Sequence, residues 1–255
     1  MTKKNLRRLR RLGIVFLGIA SFVGYLILNP DSYRAVTEGA DFDVLFGAVK
    51  TDPLPELKSE QTVPDSLLAR DVLESLAVKE KDTSTKYYRK LFYDSWGMTA
   101  SGCNTREAIL LRDLKNVNLK GCKVQTGTLE DPYTGKTINF QRGQETSSEI
   151  QIDHVVALSN AWATGAFAFD ENKRYEISQD PLNLLAVDGP ANQEKSDQDA
   201  SDWLPPNEAF QCQYVARQIS VKYKYSLWVT PREKQKMQEV LQNCPEETTV
   251  GLQTP

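Results

Sequence analysis

Two short apolar stretches constrain the middle of this chain more than any other feature. Residues 150–156 (I-Q-I-D-H-V-V) and 182–187 (L-N-L-L-A-V) are each strand-length, and Gln179-Asp180-Pro181 introduces the second with a turn. Directly after it, Asp188-Gly189-Pro190 reads as a helix start, with Asp188 as cap and Pro190 in the first turn. Residues 191–196 continue that helix. The expected order is strand, long loop, strand, short helix. It brings Asp153 and His154, at the end of the first strand, toward the second strand and the polar face of the helix.

His154 is the only histidine among 255 residues. Imidazole is the one side chain whose ordinary pKa lies near neutrality, so it is the readiest general base. Its neighbour Asp153 is a carboxylate able to hold a metal ion. The competing reading is a hydrogen-bonded histidine at a strand end.

The chain carries a net charge of −3, unevenly spread. Lys3, Lys4, Arg7, Arg8, Arg10 and Arg11 supply six positive charges, so the remainder carries −9. An acidic body excludes a generally basic nucleic-acid binder; contact with a polyanion has to come from a local patch or a metal ion. Residues 12–28 are uncharged and apolar, and Asn29-Pro30-Asp31 follows. A basic cluster before an apolar run is the pattern of an export signal or amino-terminal anchor, and a span takes about 17–25 apolar residues. No small-x-small cleavage site stands after the run, which favours an uncleaved anchor. Either form puts the body outside the cytoplasm.

Cys103, Cys122, Cys212 and Cys244 form no C-x-x-C pair suited to zinc. In an oxidising compartment they read as two disulfides. Three pairings are open, of which Cys103–Cys122 with Cys212–Cys244 closes two modest loops and is the simplest.

Residues 29–64, rich in Pro, Asp, Glu and Thr, read as an extracytoplasmic linker. A main domain is expected over residues 65–245 and a loose polar tail over 246–255. Within the domain a helix is expected after Pro64, with Asp65 as cap and Leu67, Leu68, Val72, Leu73 and Leu76 on one face. Residues 87–96 add Tyr88, Leu91, Phe92 and Trp96 as core aromatics and aliphatics. Further helices are expected at residues 105–114 (capped by Asn104 or Thr105), 210–223, and 231–241 behind the Thr230 cap. Residues 131–135 read as a turn between two extended pieces.

In sequence order, C-x-T-R-E (Cys103 to Glu107), D-P-Y-T-G (131–135), I-D-H-V-V (152–156), D-P-L-N-L-L-A-V-D (180–188) and W-L-P-P (203–206) resemble the HNH endonucleases, in particular a branch of exported bacterial nucleases. The likeness runs from about Lys86 to Cys244. It implies an α+β fold in which a ββα-metal finger is embedded in a mainly helical domain pinned by two disulfides. It also implies roles. His154 would be the general base that activates water against a phosphodiester. Asn183, matching the central N, would orient it and steady the finger. Asp153 and Asn192 would hold the metal. Asn192 stands where the family name has its second H, and a neutral amide suits Mg²⁺ (or Mn²⁺) better than tightly held Zn²⁺. Arg106 and Lys195 are the candidate phosphate contacts, and Glu107 a further carboxylate near the metal. Arg106 in an ion pair with Asp113 or Glu107, and Lys195 on a solvated helix face, are the structural readings of the same residues. Asp197, Asp199 and Asp202 read as solvated loop charges, and Trp162 and Trp203 as packing residues.

The expected activity is a metal-dependent, largely non-specific endonuclease acting on DNA or RNA through backbone contacts, since no zinc finger, helix-turn-helix or long basic arm is present to read base edges. The rival is a non-catalytic, membrane-tethered extracytoplasmic binding module, its membrane contact made through residues 12–28. Other enzyme classes lack their motifs: there is no G-x-S-x-G, G-x-x-x-x-G-K-[ST] or H-E-x-x-H.

Overall fold

The computed structural model describes residues 67–144 and 146–251. The expected amino-terminal signal or anchor (1–28), the linker (29–64) and the Asp65 cap lie outside these. Among the described residues, no helix is long and apolar enough to cross a membrane.

The architecture mixes helix and strand, with seven α-helices and two small sheets among the described residues. The helices are α1 Ala69–Ser75, α2 Thr105–Asp113, α3 Leu158–Ala163, α4 Glu171–Gln179, α5 Gly189–Lys195, α6 Glu208–Lys224 and α7 Pro231–Leu241. Strands β1 Lys115–Lys120, β2 Lys123–Glu130 and β3 Thr137–Gln141 form one antiparallel sheet in that order. Strands β4 Ile150–His154 and β5 Leu184–Asp188 form the other, paired antiparallel from Ile150 with Asp188 to His154 with Leu184.

Three apolar clusters hold these elements. Leu73 of α1, Tyr214 and Ile219 of α6, and Met237 of α7 form the first, with Trp203 packed among them. Phe92, Trp162, Ile177 and Leu182 centre the second. The third joins Ile109 and Leu110 of α2 to Phe140 of β3 and to Ile150 and Leu184 of the two-stranded sheet. Each such side chain contributes about 1.5–3 kcal/mol by leaving water.

A two-stranded sheet leaves an open edge whose buried polar groups need partners. Here α2 and the β2–β3 turn supply them. The Ala186 N–H donates to Asp113 Oδ2 at 2.8 Å, Arg112 donates to the carbonyls of Pro181 (2.9 Å) and Leu184 (2.8 Å), and the Asp188 N–H donates to Asp131 Oδ1 at 2.8 Å. The loop before α2 is fixed by Asn104, whose side chain accepts from the Glu107 N–H, and by the Cys103–Cys122 disulfide, which reaches the tip of the β1–β2 hairpin. Gly121 sits in that tip at φ +60°, a left-handed conformation glycine adopts without strain. The second disulfide, Cys212–Cys244, joins α6 to the chain after α7.

Several expectations are corrected. The first described helix begins at Ala69 with Leu68 as its cap residue, and Leu67 is exposed, outside the buried face. Residues 87–96 hold a single 3-10 turn, Arg89–Leu91, that leaves Tyr88 exposed while Phe92 is buried. The connection between β4 and β5 is built from α3 and α4 rather than from a long loop. The segment after Pro245 is ordered at least to Gly251: Ala69 and Thr249 exchange backbone bonds with Glu247 and Leu67, and Leu68 bridges Thr248. Asp199 is buried, paired with Lys81 at 2.7 Å and bonded by Ser201. The caps of α5 and α7 form as expected, α7 with a full capping box between Thr230 and Glu233.

Replacing Cys212 and Cys244 together by alanine is expected to lower unfolding free energy by about 3–4 kcal/mol, the chain-entropy value for a loop of that length. Urea unfolding of parent and variant checks this, and an unchanged midpoint would refute it.

Candidate active site

The finger places His154 through the β4–β5 register and α4. His154 is buried, and its Nε2 lies 2.9 Å from the Ser178 carbonyl of α4. A carbonyl only accepts, so Nε2 carries the proton and Nδ1 keeps its lone pair. The imidazole is therefore held as one defined neutral tautomer. Burial drives its pKa down to about 3; the Ser178 bond opposes the shift, and the Arg89 and Lys195 charges add to it. The Trp96 ring lies parallel to it (9°, centroids 5.9 Å), and Tyr93 is tilted against it at 5.8 Å.

Asn183, fully buried just before β5, bonds the chain beyond the histidine rather than the imidazole. Its Oδ1 accepts from the Val156 N–H at 2.8 Å, and its Nδ2 donates to the carbonyls of Val156 (3.2 Å) and Ile177 (3.4 Å). With the Val155 N–H donating to the Asn183 carbonyl, this locks the exit from β4 against β5.

Asp153 is buried with both oxygens engaged. Lys195 Nζ donates to Oδ1 at 3.0 Å, and the Tyr133 hydroxyl donates to Oδ2 at 2.5 Å. Lys195 also donates to the His154 carbonyl at 3.0 Å. Burial pushes the Asp153 carboxyl up, and the bonds from Lys195 and Tyr133 pull against it. Tyr133, from the D-P-Y-T-G turn, is itself clasped by Trp203, Phe210 and Tyr214. The turn and the W-L-P-P segment thus meet behind the finger.

Helix α5 must lie close to the strand entrance for this to work. A Cβ on Gly189 would come within 2.2 Å of the Ser148 carbonyl, so only glycine fits. Asn192 projects from α5 toward β4, its Nδ2 donating to Gln151 Oε1 at 2.9 Å. Asp153, His154, Asn192 and Gln151 border one cleft of about 550 Å³, together with Arg89 and Asp197.

The site residues expected from sequence divide in two. His154, Asp153 and Asn192 come together at the cleft, with Asn183 behind them. Arg106 and Glu107 stand elsewhere, and Lys195 does not border the cleft but bonds Asp153 and the His154 carbonyl from the buried side. Arg106 braces the start of β4, 3.4 Å from the carbonyls of Ser147 and Ile150, and does not border the cleft. Its expected partners are taken: Glu107 by Arg142 (2.6 Å) and the Val124 N–H, Asp113 by Arg112. Lys195 is fully buried in its pair with Asp153 rather than on a solvated face. The cation bordering the cleft is Arg89, which sequence reasoning passed over. Its signal was the run Lys86-Tyr87-Tyr88-Arg89-Lys90, basic residues around aromatics. The guanidinium lies over the Tyr93 ring (5.1 Å) and donates to its hydroxyl.

Among the described residues, no group of three or more His, Cys, Asp or Glu gathers as a metal cage. The oxygen donors bordering the cleft are instead two carboxylates, Asp153 and Asp197, and the side-chain amides of Asn192 and Gln151. Such oxygen donors fit a hard divalent ion that keeps most of its coordination for water and substrate, and do not fit thiolate- or imidazole-held zinc.

The model of the GmrSD restriction endonuclease C-terminal domain matches residues 104–240. An uncharacterized secreted protein of Arthroderma benhamiae is 35% identical over 199 residues, covering 77% of this chain and 94% of that protein. No solved structure matches the chain.

Two outcomes are expected of the apo protein. Tyr133→Phe keeps the ring but removes a bond to a charged group, so urea unfolding should show a loss of about 1.5–3 kcal/mol; no loss would mean the bond does not hold Asp153. The second concerns pH. The folded pKa of His154 lies below its unfolded value of 6.5, so below that pH the unfolded chain binds a proton that the folded chain excludes. The stability tied to neutral His154 is complete above pH 6.5 and is lost as pH falls toward 3, at about 1.4 kcal/mol per unit. In EDTA, the parent should lose stability faster than His154→Gln between pH 6 and 4.5. Parallel curves would contradict the buried neutral imidazole.

Proposed function

Because the chain belongs to the family of GmrSD restriction endonuclease C-terminal domains, a nuclease family, we propose that it hydrolyses phosphodiester bonds of DNA or RNA in a reaction that depends on a divalent metal, with His154 as general base. The observation that carries this is the pairing of His154 with its cleft: Nε2 is committed to the Ser178 carbonyl, so Nδ1 keeps its lone pair, and the residue borders the same cleft as Asp153 and Asn192.

In the proposed reaction, Nδ1 takes a proton from water as its oxygen attacks phosphorus, the bond from phosphorus to the departing sugar oxygen breaks, that oxygen takes a proton from solvent water, and the imidazolium returns its proton to solvent. Arg89 holds a non-bridging phosphate oxygen at the mouth of the cleft, where guanidinium geometry suits bidentate contact. Asp153 and Asn192 would hold the metal, most simply Mg²⁺ or Mn²⁺, which when bound supplies Lewis-acid stabilisation of charge gathering on the phosphate. Lys195 and Tyr133 act on Asp153, fixing its carboxylate in place, and Asn183 keeps the chain after His154 from shifting. Arg106 and Glu107 are assigned to the framework.

An extracytoplasmic location is supported by the two disulfides and by the secreted relative. The absence of a described base-reading element supports low sequence specificity, with binding that weakens modestly with salt because few cations border the cleft.

The test is nicking of supercoiled plasmid, with RNA in parallel, by the full chain made in an oxidising compartment. Activity with Mg²⁺ or Mn²⁺ should vanish in EDTA and fall at least about 100-fold in His154→Ala. Arg89→Ala should raise KM more than it lowers kcat. Activity that survives both EDTA and His154→Ala would overturn the reading. A folded protein with no activity on either nucleic acid would favour the non-catalytic binding module.

A further inference from the structure

A second cleft, of about 500 Å³, is lined by the chain segment that follows Arg89 of the first. The 3-10 turn Arg89–Leu91 contributes Arg89 to the catalytic cleft and Lys90 and Leu91 to this one. Tyr93 and Trp96, whose rings pack on His154, also line it. The same two rings therefore both touch the imidazole and line a separate cleft.

The walls carry apolar surface that the core does not use. Met98 and Tyr175 both line the cleft and are 70% and 44% exposed. The platform is anchored rather than loose. The Gly97 N–H donates to Gln179 Oε1 of α4 at 2.8 Å, and the Gly97 carbonyl accepts from the Thr105 N–H of α2 at 2.8 Å. Gly97 also makes room for the tyrosine, since a Cβ there would meet the Tyr175 hydroxyl at 2.0 Å. The polar lining is net negative: Asp94 and Glu171 stand against the single positive charge of Lys90, with the Asn172 amide and the Ser95 hydroxyl as neutral groups. Carboxylates repel a phosphate but accept hydrogen bonds from the amino groups of a base. Aromatic rings with a rim in which carboxylates outnumber the one ammonium, next to an arginine-bordered cleft, favour a base over a backbone.

We propose that this second cleft holds one unstacked nucleobase of the strand whose phosphate lies at His154 and Arg89, so that the substrate is single-stranded nucleic acid. The proposal rests on the nuclease reading of the first cleft. A base in a duplex is stacked and paired, and has to be flipped out before it can enter such a site. A single strand offers its bases freely, and aromatic stacking accepts any of them. This gives strand-type selectivity without sequence specificity.

The test uses the full-length His154→Ala protein, with Mg²⁺ present, and fluorescence anisotropy of three probes. These are a labelled twelve-nucleotide DNA strand, its duplex, and a strand of the same length with every base removed. The intact strand is expected to bind about tenfold more tightly than either of the others. Adding Tyr175→Ala should remove most of that advantage, while Tyr175→Phe retains it; both changes fall on an exposed ring, so folding is preserved. Equal binding of intact and abasic strands would overturn the base site and leave the nuclease reading intact. An advantage for the intact strand that Tyr175→Ala does not touch would overturn this cleft as its source. Failure of all three probes to bind would count against the nuclease reading itself, and the base site would fall with it.

Discussion

An ammonium and a carboxylate, both withdrawn from water, tie the finger together. Lys195 stands at the end of α5 and Asp153 near the end of β4, and their contact at 3.0 Å closes the helix onto the strand pair. Tyr133 brings the β2–β3 turn into the same contact. A buried pair of this sort adds little net stability over well-packed apolar side chains, but removal of one member leaves the other uncompensated at several kcal/mol. Its value here is positional. Three segments distant in sequence must adopt one arrangement to satisfy it, and that arrangement sets Asn192 and His154 around one cleft.

What could be read in advance follows from the range of the forces involved. The two finger strands, the Asp188 cap and Pro190 are local signals, and both strands form, β4 ending two residues early and β5 starting two late. The positions of His154, Asp153 and Asn192 follow from them. Lys195 was legible as a residue of that helix but not as a buried one, because its burial depends on Tyr133 and Asp153 arriving from elsewhere. Arg106 misled for the same reason: the carbonyls of Ser147 and Ile150 that it meets are set by tertiary packing. Strand β1 left little trace, since its residues are mostly exposed and its pairing with β2 is irregular around Asn116, which has φ 52°. Helices α3 and α4 went unread because the stretch between two strands was taken as connection; the Asp170 cap of α4 was the available clue.

The acidic balance of the chain bears on how a polyanion approaches. A broad attractive field is missing, so contact depends on short-range groups gathered in one place. The segment 86–90 provides Arg89 at the first cleft and Lys90 at the second, with Lys86 preceding them in sequence. Two of these side chains lean on aromatic rings, Lys86 over Tyr88 and Arg89 over Tyr93, which limits the conformations they sample before a ligand arrives.

The pairing of residues 67–69 with 247–249 has an architectural consequence. The folded body receives its chain and releases it at one place, through backbone bonds such as Ala69 N–H to the Glu247 carbonyl at 2.9 Å. A unit whose entry and exit are neighbours makes little demand on what flanks it. It can be carried as a cassette, inserted into a surface loop of another protein or permuted by joining its ends, without drawing its two sides apart.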